Sequence, residues 1–144
     1  MFKMNRKMEY ALIALKYMST KTPGQLTSAK EICDYYETPF DPTSRVLQIM
    51  TQNGVLSAVQ GAKGGYQIIK DLSNVSTREL SDMIVGPIEI TSCVRSNSSN
   101  CNFSSKCHMI GSMVKLNDRI QSLFDKISVA DLIGLKSAKE LAVK

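Results

Sequence analysis

Val55-Leu56-Ser57-Ala58-Val59-Gln60-Gly61-Ala62-Lys63-Gly64-Gly65-Tyr66-Gln67-Ile68-Ile69 reads as two short strands either side of a glycine-rich turn. Val55–Val59 and Tyr66–Ile69 are rich in β-branched, aromatic and other apolar residues, and Gly61, Gly64 and Gly65 supply the reversal. The turn is not a nucleotide-binding loop, because a strand follows it where a phosphate fingerprint needs a helix.

What precedes the hairpin gives it meaning. Three helices are predicted there. The first covers residues 4–19, with Met8, Ala11, Leu12, Leu15 and Met18 on one stripe. Pro23-Gly24 breaks the chain. Ser28 and Glu31 have the spacing of a capping box and open the second helix, which turns Ala29, Ile32 and Cys33 inward. Asp41 is read as the cap of the third helix, with Pro42 at its first position and Gly54 beyond its end. Val46, Leu47, Ile49 and Met50 form its apolar side, leaving Ser44, Arg45, Gln48, Thr51 and Gln52 outside. Three helices followed by a hairpin is the order of a winged helix-turn-helix, whose third helix enters the major groove while the wing touches the backbone or the minor groove.

Charge agrees with that order. The net charge of +5 is uneven: residues 1–70 carry nine Lys/Arg and five Asp/Glu, and residues 71–144 carry nine and eight. The surplus therefore lies in the half read as DNA-binding. Candidate contacts to double-stranded DNA are Thr43, Ser44, Arg45 and Gln48 on the third helix. Lys3, Arg6, Lys7 and Lys63 are candidates for phosphate.

Downstream, Ser76 and Glu79 cap a further helix that Gly86-Pro87 stops. Then comes a polar segment holding Cys93, Cys101 and Cys107, separated by seven and five residues that are mostly Ser and Asn. Three thiols on a polar loop suit a soft metal or an iron–sulfur cluster. A zinc set of Cys93, Cys101, Cys107 and His108 is the alternative, with spacings wider than the usual zinc knuckle. Cys33 stands apart and reads as a small buried residue. Met109, Met113, Leu116, Ile120, Leu123 and Ile127 then alternate steps of four and three. That coiled-coil-like seam would run about 28 Å and suits the same helix of a second copy. Ser128 and Asp131 predict one more short helix.

Four parts follow: a winged helix-turn-helix over 1–86, a cysteine-rich loop over 87–108, a dimerisation helix with a short following helix over 109–134, and a tail over 135–144. The fold class is mainly α with a small β wing. No export signal or membrane span is read, so a cytoplasmic homodimer is expected, in a compartment where thiols stay reduced. No nucleophile–base pair supports an enzyme, and a redox carrier would not need a winged helix.

Tyr10-Ala-Leu12, Arg45-Val-Leu-Gln48, Asn53-Gly54-Val-Leu56 and Gly61-Ala-Lys-Gly64-Gly65-Tyr66, with cysteines after Gly86-Pro87-Ile88, resemble the Rrf2 family of bacterial winged-helix regulators. The resemblance spans residues 4–133. It implies a dimer with the long helix as its stem, and an iron–sulfur cluster (2Fe–2S or 4Fe–4S) on Cys93, Cys101 and Cys107. It also implies a regulator, most simply a repressor, whose operator binding follows iron–sulfur status, redox stress or nitric oxide. His108 adjoins Cys107 and does not occupy the place of the histidine ligand found in the family's cluster regulator. Nitric-oxide-sensing relatives use a first-helix carboxylate from the partner subunit, and Glu9 stands in that place. Gln60 holds a wing position where relatives often carry Arg. A zinc-stabilised or cluster-free, thiol-sensing regulator is the alternative.

Overall fold

The computed structural model describes residues 3–94 and 101–135. Six α-helices and one hairpin are seen there: α1 (Arg6–Ser19), α2 (Ala29–Tyr36), α3 (Phe40–Gln52), β1 (Leu56–Val59), β2 (Gly65–Ile68), α4 (Thr77–Ile84), α5 (Ile110–Lys126) and α6 (Val129–Leu132). The chain is a winged helix with a long helix appended, mostly helical with a two-stranded antiparallel wing.

The helix starts follow local chemistry. Asn5 accepts from the amide of Lys7, so α1 begins at Arg6, two residues later than the apolar stripe predicts. Ser28 and Ser76 cap α2 and α4 by accepting from the amides of Glu31 and Glu79, as their spacing predicts. α3 departs from expectation. It starts at Phe40 with Pro39 at the cap and no side-chain cap bond, because the Pro39 carbonyl already accepts from Thr43. Asp41 and Pro42 therefore sit inside the first turn. There a carboxylate is favoured and a missing N–H costs nothing.

α1, α3 and α4 enclose the core of the head. Leu15, Ile32, Leu47, Met50, Leu56 and Leu80 are fully buried at its centre. Cys33 is buried, in accord with its apolar reading. β1 and β2 pair in register from Leu56 with Ile68 to Val59 with Gly65. Tyr66 also pairs backbone to backbone with Thr27, at 2.8 and 2.9 Å, so the residue entering α2 anchors the wing to the head.

Glu37, which links α2 to α3, is the one non-glycine at positive φ among the described residues, at φ 53° and ψ 41°. A side chain in this conformation is strained by contact between its Cβ and the neighbouring carbonyl. Glu37→Gly should raise stability by about 1 kcal/mol, the strain relieved less the extra chain entropy of glycine. A higher urea midpoint at unchanged slope would show it. A lower midpoint would mean that Glu37 makes a compensating contact.

The long helix is fastened to the head at its C-terminal end. Arg78 Nη1 reaches Asp125 Oδ2 at 2.8 Å, and both the amide and hydroxyl of Thr77 donate to Ile127 O at 2.8 Å. Beyond it, Ser128 caps α6, whose Val129 and Ala130 are buried in the head's own core. Along α5 the predicted seam lies on the surface of the single chain: Met109, Leu116 and Leu123 are exposed, and Met113, Ile120 and Ile127 half-buried. Among the described residues no helix is long and apolar enough to cross a membrane. Most of the predicted tail, residues 136–144, lies outside the described residues.

Candidate nucleic-acid interface and cysteine loop

α3 buries one face and offers the other. Val46, Leu47 and Met50 fill the core, while Arg45 and Gln48 are exposed and Ser44 is half-exposed. Thr43 must be corrected. Its residue type suggests a base contact, yet it is fully buried and its hydroxyl lies 3.2 Å from that of Thr38. The phase of the helix places it one turn before Leu47, on the core side. Thr51 bonds back to Leu47 O at 2.9 Å, so its hydroxyl serves the helix rather than the outer face.

Between α3 and the wing runs a shallow groove lined by Gln48, Gln52, Val59, Gln60, Gly61 and Gly64 among others. Its polar side chains come from both walls. Lys63 is exposed at the wing tip, in a turn closed by the Gly64 amide on Gly61 O at 3.0 Å. Lys3, Arg6 and Lys7 are exposed at the start of α1. The structure thus keeps seven of the eight predicted DNA contacts at least half-exposed, and removes Thr43.

The cysteine segment joins the head to α5. Cys93 lies in a short 3-10 turn (Ser92–Val94), with its sulfur 3.0 Å from the Thr91 hydroxyl. Cys107 Sγ accepts from the Met109 amide at 3.4 Å, just before α5. Cys93, Cys101 and Cys107 are all free and half-buried. Residues 95–100 of this segment lie outside the described residues. Soft, partly accessible thiols with hydrogen-bond donors beside two of the sulfurs are a fitting donor set for an iron–sulfur cluster. Among the described residues, however, no three His, Cys, Asp or Glu side chains are gathered as a metal site, neither the cluster set nor the zinc set with His108.

Glu9 is half-buried on α1, and its Oε2 accepts from Arg6 Nη1 at 2.6 Å. A predicted ligand and a predicted phosphate contact are therefore paired with each other. The Arg6 side chain is 70% exposed, so the pair contributes only about 0–1 kcal/mol and is readily given up for a stronger partner.

Two residues that residue-type reasoning overlooked bind the cysteine segment to the stem. Asn117 Oδ1 accepts from the Ile90 amide at 3.1 Å, and Gln121 Nε2 donates to Ile88 O at 3.0 Å. They share one face of α5 at i, i+4 spacing, but their partners lie 27 and 33 residues away, so no local pattern reveals them.

Residues 4–134 match the family described as "Rrf2: Iron-dependent Transcriptional regulator". Among solved structures, CymR, the global cysteine regulator of B. subtilis, is similar at TM-score 0.65 and 18% identity, covering 93% of this chain and 98% of that one. The oxidized form of CymR from Staphylococcus aureus is similar at TM-score 0.67 and 18% identity, covering 95% and 100%. IscR from T. potens is similar at TM-score 0.65 and 16% identity, covering 92% and 87%.

Proposed function

Because the chain belongs to the Rrf2 family of transcriptional regulators, we propose that it is a homodimeric, operator-binding repressor whose cysteine segment controls its grip on DNA through an iron–sulfur cluster. Arg45, Gln48 and Ser44 read base edges; Lys63, Lys3, Arg6 and Lys7 hold phosphates. The exposed apolar residues of α5 pair with those of a second copy. Cys93, Cys101 and Cys107 hold the cluster, with Glu9 of the partner subunit as the remaining ligand.

One observation carries this reading: three free, half-buried thiols lie in the segment that joins α4 to α5. When bound, an iron–sulfur cluster supplies iron–ligand bonds that oxidant, nitric oxide or iron loss can break. The chain's own residues do the rest. Cys93 ends the lead out of the head and Cys107 begins the stem, so any group that draws the two together shortens the link between them. The head is then biased between two orientations on the stem, as a ligand-controlled switch requires.

A second reading, cluster-free thiol sensing, draws on the likeness to CymR, a global cysteine regulator. Anaerobic purification with iron and sulfide counts separates the two, followed by binding to operator DNA before and after cluster removal. Stoichiometric iron and sulfide with a change in affinity supports the cluster. Colourless, metal-free protein whose binding follows thiol oxidation supports the second reading.

Glu9→Ala should shorten the lifetime of the cluster in air several-fold and leave the dimer intact. An unchanged visible spectrum and lifetime would remove Glu9 from the ligand set. Arg6→Ala is the control, since it frees Glu9 from its ion pair without removing the carboxylate.

A further inference from the structure

Asn117 is the one buried residue of α5, at 2% exposure, and it is polar. A helix that buries a carboxamide in preference to its leucines does so for a bond, since an unmet buried amide costs about 1–3 kcal/mol. The bond is to Ile90 N at 3.1 Å; one turn further on, Gln121 bonds Ile88 O at 3.0 Å. Together the two carboxamides hold a donor and an acceptor of one short strip of backbone. That strip, Ile88–Ile90, runs from Gly86-Pro87 to the turn that carries Cys93.

A cleft of about 680 Å³ opens beside the strip, with Lys3, Met4, Met8, Val85, Ile90 and Phe124 in its walls. The strip, the stem and α4 form a closed circuit. α4 is tied to α5 by Arg78–Asp125 and Thr77–Ile127. α5 is tied to the strip by the two carboxamides, and the strip returns to α4 through Gly86. Gly86 has φ +112° and no atom near its missing Cβ, so it can absorb rotation.

We infer that Asn117 and Gln121 are positioning residues: a latch that holds the lead to Cys93 on its own stem and passes a change at the cysteines to α4 and the head. This deepens the proposed function and rests on its premise that the state of the cysteines sets DNA affinity.

The test compares wild type with Asn117→Leu and Gln121→Met, before and after alkylation of the accessible thiols by iodoacetamide. Hydrogen exchange is read on peptides covering 77–84 and 86–92, and operator binding by anisotropy. In wild type, alkylation should speed exchange in both peptides and change DNA affinity by about 5-fold or more, the usual size of an allosteric coupling. Each variant should remain dimeric, with the 86–92 peptide exchanging about tenfold faster from the start. Alkylation should then change neither exchange over 77–84 nor DNA affinity. Variants that respond as wild type does overturn the latch.

If wild-type affinity ignores alkylation, the functional premise fails and exchange alone decides. Loss of the 77–84 response in the variants upholds the latch as a mechanical coupling; its persistence refutes it. Should Asn117→Leu not fold, the half-exposed Gln121 carries the same test.

Discussion

Gly64→Val should collapse the wing and weaken operator binding by about tenfold or more while sparing the head. A Cβ built on Gly64 meets the Val59 carbonyl oxygen at 2.0 Å and its carbon at 2.9 Å. Both are backbone atoms of the opposite strand, so no side chain can swing away to make room. Each strand has only four residues, too few to absorb a displaced turn without losing register. Gln60 would leave its place in the groove beside α3, and Lys63 would move with the turn. The core should survive, since all of its central side chains but Leu56 come from helices rather than from the wing. Helical circular dichroism close to wild type, with operator affinity lost, is the expected pair of results. Affinity within twofold of wild type would mean that the wing makes no contribution to DNA binding.

The hairpin and the helix order were legible because short-range chemistry specifies them. The capping boxes at Ser28 and Ser76 need only a residue three positions away, and both form as spaced. The wing turn needs only its glycines. The start of α3 was misplaced because two caps compete within four residues, and a backbone bond from Thr43 to Pro39 settles the matter where the side chain of Asp41 would have decided otherwise. Thr43 was misjudged for a related reason: its polarity suggests an outer face, but helix phase and the Thr38 hydroxyl hold it inside. The latch was invisible because Asn117 and Ile90 are 27 residues apart, and a lone Asn on a helix reads as solvated. The cysteines read as soft donors from their type alone, and spacing carries no information on how a polar loop arranges them. Among the described residues they are not gathered as a metal site, an arrangement on which periodicity has no bearing.

Arg45→Ala and Lys63→Ala should fail in different ways, and the difference tests how the head docks. Arg45 is exposed on α3 beside Ser44, with Gln48 one turn on. A guanidinium there can bond both acceptors of one guanine, which is worth about 1–3 kcal/mol against the wrong base. Its loss should lower affinity for the operator by roughly 5–150-fold while unrelated DNA binds almost as before. Lys63 projects from a glycine turn and carries a point charge on a flexible stem, which suits a phosphate. Its loss should weaken every sequence alike and reduce the slope of log affinity against log salt by about one, the release of one counterion. The uneven charge makes this measurable: the first 70 residues carry the surplus of nine basic over five acidic side chains, so one lysine is a sizeable share of it. Anisotropy titrations of both variants at several salt concentrations, on operator and on scrambled DNA, separate the two losses. If Arg45→Ala weakened both DNAs equally and left specificity intact, α3 would be a backbone clamp, and sequence would have to be read from the groove shared with the wing.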